Sequence, residues 1–125
     1  MLPDQFRLKR MRDFEILFAE GGFASEPLLT LKAWKVNPEK YPKRGYLQSD
    51  LKIAFVVGLK VSKKAVARNR LRRQMREVVR LLLQQEKLAL GYHLAFVAKK
   101  EMLGATYQEI EKNILSSLKR ARLLM

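Results

Sequence analysis

KIAFVVGLKVSKKAVARNRLRRQMREVVRLLLQQEKLALGYHLAFVAKK, residues 52–100, is the stretch that decides the architecture. Its first seven residues, KIAFVVG (52–58), are apolar at positions of both parities. A strand so composed is covered on both faces and belongs in the interior of a sheet. A basic connection, LKVSKK (59–64), leads into a helix predicted over Ala65 to about Glu86. There Ala67, Leu71, Met75, Val78 and Leu82 recur at steps of four and three, which is one apolar stripe at helical period. Gly91 closes the following turn. YHLAFVAKK (92–100) is again apolar on both faces and reads as another interior strand. Strand, amphipathic helix, strand is a crossover unit of the α/β class, and general chirality favours a right-handed one.

Working outward, DFEILFAE (13–20) reads as a short helix with Asp13 as N-cap, Ile16 and Leu17 on its buried side and Gly21-Gly22 as its stop. LLTLKAWKV (28–36) alternates loosely and reads as a strand opened by Pro27. NPEKYPKRGYLQSD (37–50), with two prolines, a glycine and few aliphatics, reads as a long, exposed, basic loop. After Gly104, Thr106 and Glu109 have capping-box spacing. Ile110, Ile114 and Leu118 then continue at a four-residue step into a final helix. The expected order is helix, strand, strand, helix, strand, helix, in one domain spanning residues 1–125.

The 125 residues carry 26 Lys and Arg against 12 Asp and Glu, a formal net charge of +14. A hydrophobic fraction of 48% supports a packed core, so the excess charge is not the mark of a disordered chain. It points to a polyanionic partner, nucleic acid before an anionic membrane surface. With no cysteine and a single histidine, His93, neither a disulfide framework, a thiolate zinc site nor a multi-histidine metal site is available. His93, on an apolar strand, reads as a satisfied core residue. The N-terminus lacks the apolar core of a secretory signal and the longest apolar run is far short of a membrane span, so a cytoplasmic location is expected.

The charge concentrates between Lys60 and Arg76, where Lys60, Lys63, Lys64, Arg68, Arg70, Arg72, Arg73 and Arg76 are uninterrupted by any acid. Arg68, Arg72 and Arg76 share one helical face, with Arg73, Arg76 and Arg80 beside them. Like charges at this spacing repel, and Glu77 alone cannot neutralise them. Planar guanidinium forks suit phosphate, and Asn69 within the cluster offers an amide to a sugar, a base edge or the local backbone. Carboxylates, in contrast, are scattered: Asp4, Asp13 and Asp50 lie far apart, and Glu109 and Glu111 fall on different helix faces. Neither a two-metal carboxylate cluster nor a Ser-His-Asp arrangement is present, so the sequence predicts nucleic-acid binding without cutting, and neither a catalytic residue nor a metal site in the protein.

The segment Ala65–Arg73, with Arg68-Asn69-Arg70 at its centre, resembles the Arg-Asn-Arg signature of the ribonuclease P protein family. The preceding Lys60-Val61-Ser62-Lys63-Lys64 loop, the following Arg72 and Arg73, and Arg76 one turn later make the likeness specific. Leu8-Lys9-Arg10-Met11-Arg12-Asp13-Phe14, with Phe18 and Gly21 beyond, is similar to the family's opening. The strand at Gly91-Tyr92 and the closing helix also fall where the family has them, so the likeness covers nearly the whole chain. Two features depart from it: many members have glycine just after the position of Val61, where this chain has Ser62, and the 37–50 loop is longer.

The resemblance implies an α/β sandwich, a central sheet of three to four strands with about three helices and a left-handed crossover. It also implies a non-catalytic subunit of an endoribonuclease, in which a catalytic RNA subunit removes the 5′ leader of precursor tRNA using Mg²⁺ held mainly by the RNA. Lys60, Lys63, Lys64, Arg68, Asn69, Arg70, Arg72, Arg73 and Arg76 would then face the RNA subunit. Phe14 and Phe18, which pattern alone assigns to ordinary core, would line a cleft for the single-stranded leader, with Lys9, Arg10, Arg12, Lys32 and Trp34. The protein is expected to be monomeric, to engage neither DNA nor membrane, and to lower the Mg²⁺ demand. The rival readings are a ribosomal or other structural RNA-binding protein, a DNA-binding regulator and a free-standing nuclease. The second lacks an adjacent helix to form a helix-turn-helix, and the third lacks a metal cluster.

Overall fold

Tyr92–Ala98, apolar on both faces, is an interior strand. In the computed structural model, which describes residues 2–125, it pairs with a strand on each side. The elements are α1 (Met11–Glu20), β1 (Gly22–Ser25), β2 (Leu29–Lys35), β3 (Leu51–Val56), α2 (Ala65–Gln84), β4 (Tyr92–Ala98) and α3 (Tyr107–Arg120), with single 3₁₀ turns at Asp4–Phe6 and Lys100–Met102. The sheet order is β1-β2-β4-β3, so β3, expected in the interior, is an edge strand; it is apolar on both faces because a core covers each of them, not because it is paired on both sides. β2 runs antiparallel to β4, from Leu29 opposite Ala98 to Lys35 opposite Tyr92, and β3 runs parallel to β4, so α2 is the crossover between neighbouring strands.

The larger core lies between the sheet and the pair α2/α3. Leu29 and Leu31 of β2, Ile53 of β3, and Leu94 and Phe96 of β4 meet Leu71, Met75, Val78 and Leu82 of α2 and Ile110, Ile114 and Leu118 of α3. The apolar stripe expected on α2 is thus the buried one, and each of its large side chains contributes roughly 1.5–3 kcal/mol on leaving water. The Thr106–Glu109 capping box forms in both directions at the start of α3, at 3.1 and 2.9 Å.

The second face of the sheet carries a smaller core, in which Ile16 and Leu17 of α1 pack with Trp34, Ala54, Ala95 and Tyr46. Here three expectations are corrected. Asp13 is not the N-cap: α1 begins two residues earlier, and the carboxylate turns inward, accepting hydrogen bonds from Tyr46 Oη (2.6 Å), Arg44 Nη2 (2.9 Å) and Arg10 Nε (3.0 Å). Burial alone would raise its carboxyl pKa; the Tyr46, Arg44 and Arg10 hydrogen bonds outweigh that and hold it below the ordinary value. The 37–50 loop is not simply exposed, since Tyr46 is buried and Tyr41 and Lys40 both bond Glu20 at the end of α1. His93 is fully buried but not satisfied. Neither ring nitrogen has a hydrogen-bond partner, and Nε2 stands 3.9 Å from Asp50 Oδ2, with Trp34 and Tyr46 edge-on against the ring.

Residues 22–25, expected to do no more than end α1, form an edge strand, β1, paired antiparallel with β2. Gly21 makes this sharp entry possible by its size, because a Cβ there would stand 2.5 Å from the Leu17 carbonyl oxygen and 2.9 Å from that of Ala33. Gly91, at φ +92°, meets the other glycine requirement, the tight turn into β4.

Gly21→Ala is expected to destabilise the fold by about 1–3 kcal/mol through forced backbone displacement, whereas Gly22→Ala, with open space around it, serves as the neutral control; urea melts of both measure the difference. Burial holds the His93 imidazole below its ordinary value of 6.5, offset in part by Asp13 and Asp50, with Lys52 and Arg10 acting in the lowering direction. The unfolded chain therefore takes up this proton before the native state does, and stability should fall as pH drops from about 6.5 toward the lowered native value. Replacing His93 with Leu should flatten the stability profile over that interval; an unchanged slope would show that other groups set it.

Candidate nucleic-acid interface

The first half of α2 extends the basic segment along one side of the molecule, and its arginines divide into two sets. Arg68 and Arg72, expected to face RNA with Arg76, turn back to the crossover loop. Arg68 Nη1 donates to the Ser62 carbonyl (3.0 Å) and Arg72 Nη2 to the Val57 carbonyl (3.2 Å). Arg72 Nη1 also donates to Asn69 Oδ1 (2.7 Å), which orients the amide and leaves its NH₂ as a donor. The second set, Arg70, Arg73 and Arg76, has no protein partner among the described residues and lines an open groove of about 470 Å³ with Val66 and Asn69. Arg80 lies outside the set, since it forms a two-pronged pair with Glu77 at 2.6 and 2.9 Å.

At the head of α2, Lys60, Lys63 and Lys64 are exposed. The helix N-terminus has no side-chain cap and no acid in its first turn, a polarity that favours phosphate. Ser62 stands outside the positive-φ region and its Oγ accepts from the Lys64 N–H (3.1 Å), so the loop closes without the family's glycine.

A second basic concavity adjoins the first. Residues 7–9 run beside β3, bridged at Arg7 and Ile53, and a cleft of about 240 Å³ opens between Arg7, Lys9, Phe14, Ile53, Ala54, Phe55 and Arg76. Arg76 therefore borders both the groove and the cleft. Phe14 is half-buried and Phe18 is 43% exposed, one turn further along the same side of α1. Lys32 reaches this side from β2, its ammonium 6.0 Å from the Phe18 ring centre and 5.7 Å from that of Phe23. Phe23, 74% exposed, was missed by sequence reasoning because its four-residue strand has no periodic pattern; its only signal was a large aromatic beside two glycines.

The other residues expected in the cleft are placed differently. Trp34 is 5% exposed under α1, edge-on to Tyr41 and Tyr46, and offers no free face. Arg12 and Phe14 are separated by about 200° of helical rotation; Arg12 lies 3.8 Å from Glu15 on another side of α1. Arg10 binds Asp13 and the Arg44 carbonyl. Lys9 shares Asp4 with Arg7, but both cations line the cleft. Among the described residues no three acids or histidines come together as a metal site, and no helix is long and apolar enough to cross a membrane.

Comparison with known proteins identifies the family and the fold. The family model described as Ribonuclease P matches residues 2–122. The ribonuclease P protein component of Synechococcus sp. (strain JA-2-3B'a(2-13)) is 36% identical, covering 100% of this chain and 88% of its own. That of Clostridioides difficile (strain 630) is 42% identical, covering 90% and 89%. In fold, the RNase P protein of Staphylococcus aureus superposes with a TM-score of 0.77 at 19% identity over 96% of this chain and 98% of its own. The Thermotoga maritima protein gives 0.70 at 24% identity over 91% and 96%.

The two arginine sets should separate on mutation. Arg70→Ala with Arg73→Ala is expected to leave the melting temperature intact while weakening RNA binding and reducing the salt slope by roughly one unit per lost phosphate contact. Arg72→Ala should cost about 1–2 kcal/mol of stability, through the partner it leaves at Val57. Salt-dependent filter binding and thermal melts of the two variants measure this; identical behaviour would erase the distinction.

Proposed function

The chain belongs to the Ribonuclease P family of protein components, and from that premise we propose that it binds the RNA subunit through the Arg70–Arg73–Arg76 groove while its Phe14 cleft and the Phe18 ring one turn beyond it hold the 5′ leader of precursor tRNA. The observation that carries the reading is the shared Arg76: one arginine borders both the groove suited to a folded RNA backbone and a cleft with aromatic side chains and a cationic rim. Unpaired bases stack on aromatic faces while cations follow the phosphates. Two such neighbouring sites would hold a substrate strand beside the RNA that acts on it. A structural RNA-binding protein would need the groove but not the cleft.

In this role the protein is a monomer that contributes binding and charge, and the RNA subunit performs the hydrolysis. Among the described residues no three acids or histidines come together as a metal site, and Asp13, Glu20, Glu26 and Glu77 are each engaged by an Arg, Lys or Tyr of the same chain. Its effect on Mg²⁺ is indirect, through fixed cations replacing part of the counterion atmosphere around the bound RNAs.

Precursor tRNA cleavage at low Mg²⁺ tests the assignment, comparing a bacterial ribonuclease P RNA alone, the protein alone and the two together. Leader removal only in the mixture is expected. Cleavage by the protein alone would reveal an unrecognised active site, and no stimulation would favour the structural RNA-binding alternative. Phe18→Ala, at an exposed position, should weaken precursor binding by the reconstituted enzyme about tenfold and leave mature tRNA binding nearly constant. Equal losses on both would count against a leader cleft.

A further inference from the structure

We propose that Phe23 of β1 forms, with Lys32 and Phe18, an additional stacking subsite that extends the leader path across the open face of the sheet to the β1 edge. The inference rests on the leader-binding reading above and adds to it the strand's route and its far end. Three observations carry it. Phe23 is a large aromatic at 74% exposure in an edge strand, where burial in the protein's own core gives it no purpose. Its cross-strand neighbour is Lys32, opposite it in the β1/β2 register. The Lys32 ammonium lies within 6.0 Å of both the Phe18 and Phe23 rings, so one cation stands between two exposed aromatic faces. An unpaired base on either ring would place its phosphate beside that ammonium, the pairing of stacking surface and cation that single-stranded nucleic acid uses.

The order of elements sets the direction. Crossing the sheet from β3 to β1, the Phe14 cleft lies beside Ala54, which pairs with Ala95 of β4, which pairs with Lys32 of β2, which pairs with Phe23 of β1. With the RNA subunit on the α2 side, the nucleotides next to the scissile bond occupy the Phe14 end. Nucleotides further toward the 5′ end reach Phe23. The subsite therefore discriminates by leader length and is indifferent to base identity, because every base has a stackable face.

The test uses enzyme reconstituted with the RNA subunit and a series of precursor tRNAs whose leaders grow from two to about ten nucleotides. For the unmodified protein, affinity should rise again once the leader is long enough to reach β1. Phe23→Ala should abolish that second rise, cutting the ratio of long- to short-leader affinity about tenfold, and Phe23→Trp should restore it. Phe18→Ala is run alongside. If it weakens precursor binding while Phe23→Ala leaves the length dependence intact, the added subsite is wrong and the leader cleft stands. If neither variant matters, the cleft and the subsite fall together. If Phe23→Ala alters only sedimentation of the free protein, the exposed ring is a self-association contact and the subsite is overturned.

Discussion

β4 is hydrogen-bonded on both sides and covered on both faces, and the rest of the molecule follows from satisfying it. Its face bearing Leu94 and Phe96 needs an apolar layer, which α2 and α3 supply. Its other face, with His93 and Ala95, needs a second layer, and α1 is long enough to cover only part of it. Parallel pairing with β3 requires a crossover. The crossover helix α2 must lay one apolar stripe on the sheet, and this leaves its remaining surface, rich in arginine, to solvent. The basic groove is thus the unburied side of an element whose buried side is dictated by the core.

The incomplete layer has the greater functional consequence. Because α1 stops at Gly21 and the chain turns at once into β1, Lys32 and the Phe18 and Phe23 rings remain accessible on a sheet face that a longer helix would have covered. What holds α1 in place is polar: Asp13 accepts from Tyr46, Arg44 and Arg10, and Glu20 accepts from Tyr41 and Lys40. Four of these five partners come from or border the 37–50 loop. A loop of unremarkable composition therefore acts as a brace for the wall of the cleft, and its tyrosines bury Trp34 in the process.

The same economy governs the arginines. An isolated helix bearing this many like charges would be destabilised. Arg68 and Arg72 relieve part of the problem by donating to carbonyls of the crossover loop, at Ser62 and Val57, and Arg80 by pairing with Glu77. Arg70, Arg73 and Arg76, with no partner among the described residues, keep all their donors for a ligand. Spacing of four along the sequence grouped Arg68, Arg72 and Arg76, yet whether each turned to the loop or to solvent depended on where the loop carbonyls came to lie.

By itself the sequence determined the class of the fold, the existence of the two apolar strands at 52–58 and 92–100 and the interior place of the second, the buried stripe and basic character of α2, the capped start of α3 and a polyanionic partner, because each follows from local periodicity or from summed charge; that the first of those strands lies at the sheet edge was decided by the tertiary structure. Tertiary structure alone decided what depends on contacts between distant segments. β1 exists through pairing with β2, and four residues carry too little pattern to announce it. Asp13 left its capping role because Tyr46, more than thirty residues away, offered a better hydrogen bond in a buried site. His93 was legible as core, but its lack of partners was not, since satisfaction depends on where Asp50, Trp34 and Tyr46 come to rest. Trp34 and Phe23 are both aromatic residues near strands; only the packing of α1 over one and past the other made the first a core residue and the second a surface for a ligand.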